Sequence, residues 1–122
     1  MSISTPVSAG FLRSPQAIIF GDGQRHALGT VARKLGRRAL VCTDERLAGD
    51  PMFGAMMKDL QASGLETLVY DRTQAELPIA GVFECEKLAR AFAPEVVIGI
   101  GGGSCMDMAK FVGLLLTHGG DL

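Results

Sequence analysis

An apolar run, Glu95-Val96-Val97-Ile98-Gly99-Ile100, ends in three consecutive glycines and a serine, Gly101-Gly102-Gly103-Ser104, and passes directly into a segment of helical character. A strand that turns through glycine into a helix gathers unhindered backbone N–H groups and the positive end of a helix dipole at one point. Proteins use that arrangement to hold phosphate. Glycine suits it because a Cβ would keep the phosphate off the backbone and because such turns often need positive φ. The purely structural alternative is a tight connection with Ser104 as N-cap and Asp107 completing a capping box. Three glycines exceed what a cap needs, so the reading favours a diphosphate.

The remaining chain repeats the same strand-then-helix order, which is the pattern of βαβ units feeding a parallel sheet. Ala17-Ile18-Ile19-Phe20 reads as a first strand, followed by a helix over about 24–35 with Leu28, Val31, Ala32 and Leu35 on one face and Gly36 as C-cap. Arg38-Ala39-Leu40-Val41-Cys42 reads as a second strand, leading through Thr43-Asp44 into a helix interrupted near Gly49-Asp50-Pro51 and resumed to about Ala62. Gly64 stops it. A third strand is expected over 65–70, a loop over 71–78, a helix over 82–92 ended by Pro94, and a fourth strand over 95–100. The helix over 104–117 is apolar almost all round, which predicts burial on more than one side. Phe11-Leu12-Arg13 could add a short edge strand. The fold expected is α/β, a Rossmann-like open, mainly parallel sheet with helices on both faces, in a single domain over residues 1–122.

Composition narrows the partners. The chain has 122 residues, 48% of them hydrophobic, with twelve basic against thirteen acidic side chains, so no positive excess attracts nucleic acid or an anionic membrane. The start lacks a secretory pattern, and no apolar run approaches the roughly 18 residues of a membrane span. A cytoplasmic protein is expected. Cys42, Cys85 and Cys105 are odd in number and widely spaced, which suits reduced thiols.

Gly21-x-Gly23 follows the first strand, and Asp44 ends the second about twenty residues later, where a Rossmann-type domain places an acid on the ribose hydroxyls of NAD. His26 occupies the place of the third glycine, and Asp44 could equally cap the next helix. Cys105 lies where a helix dipole can lower a thiol pKa, although packing is the simpler role. Met52, Met56 and Met57 fall at helical spacing and read as core or interface contacts. Arg33, Lys34, Arg37 and Arg38 read as a solvated helix end, their functional alternative being a preference for NADP.

The run Gly101-Gly102-Gly103-Ser104-Cys105-Met106-Asp107-Met108-Ala109-Lys110 resembles the GGGSxxDxAK signature of the iron-containing (group III) alcohol dehydrogenases. Ile19-Phe20-Gly21-Asp22-Gly23 is similar to that family's FGxG turn, and Ala39-Leu40-Val41-Cys42-Thr43-Asp44 to its strand ending in Thr-Asp. The resemblance spans essentially the whole chain but only the amino-terminal half of the usual family protein, and Ser104 brings it nearer the alcohol dehydrogenase and maleylacetate reductase branches than the dehydroquinate synthases. It implies that Gly101, Gly102, Gly103 and Ser104 hold the diphosphate of NAD or NADP. Asp107 would face the nicotinamide-side ribose or the substrate cleft, and Asp44 would take the adenosine ribose and favour NAD. Lys110 would be an ion-paired helix residue.

Where many members carry Asn-Pro-Thr after the third strand, this chain has Leu77-Pro78-Ile79, which leaves no obvious polar contact there. The family's divalent metal, Fe2+ or Zn2+, is held by an Asp and His side chains of a helical second domain. That domain is absent from these residues, and His26 and His118 lack a partner at ligand spacing. The resemblance therefore implies the cofactor half of a metal-dependent oxidoreductase acting on a small alcohol or carbonyl substrate. These residues would contain no catalytic group or metal ligand of their own, and would belong to a fragment that forms a homo-oligomer or pairs with the missing helical domain. The competing readings are a non-catalytic nucleotide-binding or partner-binding fragment, and a lyase of the dehydroquinate synthase type.

Overall fold

The computed structural model describes residues 27–118. The strand over 17–20, the Gly21-x-Gly23 turn, the edge strand at Phe11-Leu12-Arg13 and His26 lie outside the described residues. The elements are α1 (Leu28–Leu35), β1 (Arg38–Cys42), α2 (Glu45–Ala48), α3 (Pro51–Ala62), β2 (Glu66–Tyr70), α4 (Ile79–Phe92), β3 (Val96–Gly99) and α5 (Gly103–His118).

The three strands form a parallel sheet in the order β2-β1-β3, with Arg38 opposite Glu66 and Ala39 opposite Val96 at the first rungs. Parallel strands are covered on both faces, and β1 shows the consequence. Its residues 39–42 are fully buried and alternate between two cores. Ala39 and Val41 point toward α1 and α3, joining Ala32, Phe53, Met57, Leu60, Val96 and Ile98. Leu40 and Cys42 point the other way, joining Tyr70, Val82, Cys85, Met108, Val112 and Leu115 under α4 and α5. An open parallel sheet with helices on both faces is a Rossmann-like α/β architecture.

Local chemistry sets the boundaries. Gly36 closes α1 by donating its N–H to the Ala32 carbonyl. The interruption at 49–51 separates α2 from α3, because Asp50 accepts from the Met52 amide at 2.8 Å and Pro51 opens the new helix. Gly64, at φ 97°, turns the chain after α3. Helix α4 starts at Ile79, three residues earlier than the periodicity predicts. Gly81 weakens the pattern there, yet its N–H bonds the Pro78 carbonyl and closes the first turn. Ala93, left-handed at φ 57°, ends α4 ahead of Pro94. Strand β3 is shorter than the expected 95–100, although the Glu95 and Ile100 amides still bond the Arg38 and Cys42 carbonyls of β1.

Helix α5 departs from expectation. Cys105, Met108, Val112 and Leu115 form its buried stripe, whereas Met106 is 45% and Leu114 41% exposed, so among the described residues α5 is buried on one side only. The methionines of α3 divide likewise: Met57 is buried, Met56 half-buried and Met52 exposed. No helix among the described residues is long and apolar enough to cross a membrane.

Candidate functional site

All three strands run the same way, so the segments leaving their carboxyl ends converge on one edge, the place where open α/β sheets bind ligands. Here those segments are 43–46 after β1, 71–78 after β2 and 100–104 after β3. They enclose a cleft of about 210 Å³. Asp44 and Arg46 line one wall, Thr73, Gln74 and Ala75 the second, and Gly102, Gly103, Ser104 and Cys105 the third. Ligand pockets for drug-sized molecules span roughly 300–1,000 Å³, so the cleft formed by the described residues is smaller than such a pocket.

The glycines of the turn are not equivalent. Gly101 sits at φ 137°, and a Cβ on it would lie 2.8 Å from both Cys105 Sγ and Leu47 Cδ1, so the fold itself requires glycine there. A Cβ on Gly102 or Gly103 would meet nothing within 4 Å, and neither residue has positive φ. Their missing side chains leave open space above the start of α5. The Cys105 and Met106 amides both return to the Gly102 carbonyl, while the first amides of any helix have no partner earlier in the helix. Because α5 begins at Gly103, Ser104 stands inside its first turn and is not the N-cap, which removes the capping-box alternative for Ser104 and Asp107.

Asp44 takes the capping role and also lines the cleft. One carboxylate oxygen accepts the Leu47 amide at 2.8 Å, so Asp44 is the N-cap of α2. The other accepts from the Cys105 thiol at 3.7 Å, on the cleft side. Cys105 is almost wholly buried, and its thiol pKa is raised, chiefly by burial and then by the Asp44 carboxylate, with the Gly102 backbone and Arg46 only partly opposing this. Cys105 therefore has the packing role expected of it, and the dipole-activated thiol that was its alternative is not formed.

Two residues of the β2 loop were not marked by the sequence motifs. Thr73 is buried, lines the cleft and leaves its hydroxyl without a hydrogen-bond partner; Gln74 stands beside it. A buried hydroxyl without a partner costs about 1–3 kcal/mol, so a polar group entering the cleft would satisfy it. The polar contact that Leu77-Pro78-Ile79 could not supply is thus available four residues earlier. Asp107 is exposed on α5 and is not among the lining residues, and it makes no ion pair with Lys110 among the described residues.

The basic cluster lies at the other end of the sheet. Arg38 opens β1, pairs with Glu66 at 2.7 Å, donates to the Phe92 carbonyl and lies 4.3 Å over the Phe92 ring. It fastens β1 to β2 and α4 and does not reach the cleft. Arg33 and Lys34 line a separate, open depression with Thr30 and Ser63. Cys42 and Cys85 are buried with their sulfurs 4.0 Å apart, within hydrogen-bonding contact but too far for a disulfide, and all three cysteines are free.

The family model described as iron-containing alcohol dehydrogenase matches residues 15–122. Alcohol dehydrogenase 4 of Saccharomyces cerevisiae is 35% identical over 109 residues, covering 88% of this chain and 28% of the yeast protein. The NAD-dependent methanol dehydrogenase of Bacillus methanolicus is 28% identical, covering 87% of this chain and 28% of its own length. Among solved structures, 1,3-propanediol oxidoreductase superimposes with a TM-score of 0.82 at 28% identity, again over 88% of this chain and 28% of that one. The chain thus spans under a third of the length of these relatives.

Proposed function

The chain belongs to the iron-containing alcohol dehydrogenase family, and from that premise we propose that its cleft binds a nicotinamide dinucleotide, NAD or NADP, for an oxidoreductase acting on an alcohol or carbonyl substrate. The observation that carries the proposal is the contrast within the turn: the fold needs glycine at 101, but no described residue needs it at 102 and 103, where a ligand approaching the backbone would. In this reading Gly102, Gly103 and Ser104 present their amides to the diphosphate at the positive end of the sixteen-residue α5. Gly101 holds the turn in shape beneath them. Asp44 accepts from ribose hydroxyls, and Thr73 satisfies its hydroxyl on the same ligand. Asp107, one turn further along α5, is left for the nicotinamide side.

A bound dinucleotide would supply hydride exchange with the substrate carbon. The described residues contribute binding and orientation, and among them no group of three or more His, Cys, Asp or Glu could hold a metal ion. The described residues do not fit the family's divalent metal. The name of the Bacillus methanolicus relative supports a nicotinamide cofactor, and the yeast relative's supports an alcohol substrate.

Calorimetric titration of the chain with NAD and with NADP tests the proposal. Binding of at least one at millimolar levels or below, weakened about tenfold or more by Gly102→Val with the circular dichroism unchanged, is the expected result. Failure of both dinucleotides to bind at millimolar concentration would sink it.

A further inference from the structure

The cleft holds one acid, Asp44, and one base, Arg46. Arg46 lies two residues after Asp44 on the same wall and makes no ion pair among the described residues. Asp44, by contrast, is engaged: one oxygen caps α2 at the Leu47 amide and the other receives the Cys105 thiol. Arg46 and Cys105 line the same cleft, and the Arg46 charge partly opposes the rise in the Cys105 thiol pKa. An acid standing alone at the end of a strand excludes a ribose 2′-phosphate by repulsion, while a nearby arginine admits it. A guanidinium also matches a phosphate with two parallel N–H donors, which an ammonium cannot do.

Resting on the dinucleotide reading of this cleft, we propose that Arg46 determines cofactor choice, pairing with a 2′-phosphate so that the chain accepts NADP as well as NAD despite Asp44. The basic residues Arg33, Lys34, Arg37 and Arg38 take no part, since they are remote from the cleft. Neither Asp71 nor Glu76, the acids of the facing loop, lines the cleft, and Glu84 is paired with Arg72 and Tyr70.

The test is the ratio of the NADP to the NAD dissociation constant, measured by calorimetry on the chain and on Arg46→Ala, Arg46→Lys and Asp44→Asn. The unaltered chain should bind the two within about tenfold of each other, and Arg46→Ala should widen the ratio against NADP by about tenfold. Arg46→Lys should fall between, keeping the charge but losing the paired donors. Asp44→Asn should shift the ratio toward NADP while retaining the helix cap. Discrimination against NADP beyond about tenfold in the unaltered chain, or a change under about threefold in Arg46→Ala, overturns the proposal and leaves the dinucleotide reading standing. Binding of neither dinucleotide overturns both.

Discussion

Gly101 and Gly102 are adjacent yet answer to different constraints, and substitution separates them. Gly101→Ala places a Cβ against Cys105 Sγ and Leu47 Cδ1 at a φ that side chains rarely adopt, so it should cost about 1–3 kcal/mol in urea unfolding. Gly102→Ala should change stability by less than about 0.5 kcal/mol while weakening dinucleotide binding. Equal stability losses at the two positions would contradict the division. Asp44 allows a similar separation. Asp44→Ala removes the α2 cap and should cost about 1 kcal/mol, whereas Asp44→Asn should retain most of that stability. At this scale the sequence is legible where chemistry is local: the glycine run and Asp44 are visible in isolation. Thr73 is not. Its burial depends on which loop the β2 end brings beside the α5 start, information carried by strand order and not by neighbouring residues.

At the scale of elements, the alternation of apolar runs with helical periodicity marks β1, the break between α2 and α3, and β3 to within a residue or two. The errors share a cause. Helix α4 starts before its buried apolar stripe does, because hydrogen bonding to Pro78 closes the first turn while Ile79 and Ala80 remain exposed. In α5 the described residues cover one stripe only, since composition gives the content of a helix and packing partners decide which stripe is covered. Helix α3 supports the core below the cleft through Leu60, which is fully buried with Phe53 and Met57 against β1. Leu60→Ala should destabilise the chain by about 2–5 kcal/mol, measured by the urea midpoint and slope. A loss under about 1 kcal/mol would mean that this face collapses to refill the space.

For the whole molecule, the titrating groups with raised pKa values all favour the same side of the pH scale. Cys42 is held protonated by contact with the Cys85 thiol and then by burial, Tyr70 by burial and then by the hydrogen bond to Glu84, and Cys105 by burial and then by Asp44. Each group binds its proton more tightly folded than unfolded. Its contribution is therefore complete below the ordinary values of 9.0 for cysteine and 10.0 for tyrosine and is lost as pH rises through the folded value. The urea midpoint should decline above about pH 9, and Tyr70→Phe should flatten that decline. A midpoint constant to pH 11 would refute the assignment.

The central position of β1 has a further consequence, in the order of synthesis. Arg38 pairs with Glu66, 28 residues later, so β1 leaves the ribosome with no strand beside it. At roughly 5–20 residues per second, its four wholly buried residues stay without a neighbour on either edge for about 1–6 s, and β3 arrives later still. Among the described residues, the nascent segment over 39–42 is thus the one with most to gain from a chaperone, and a pause in translation between β1 and β2 would prolong its exposure.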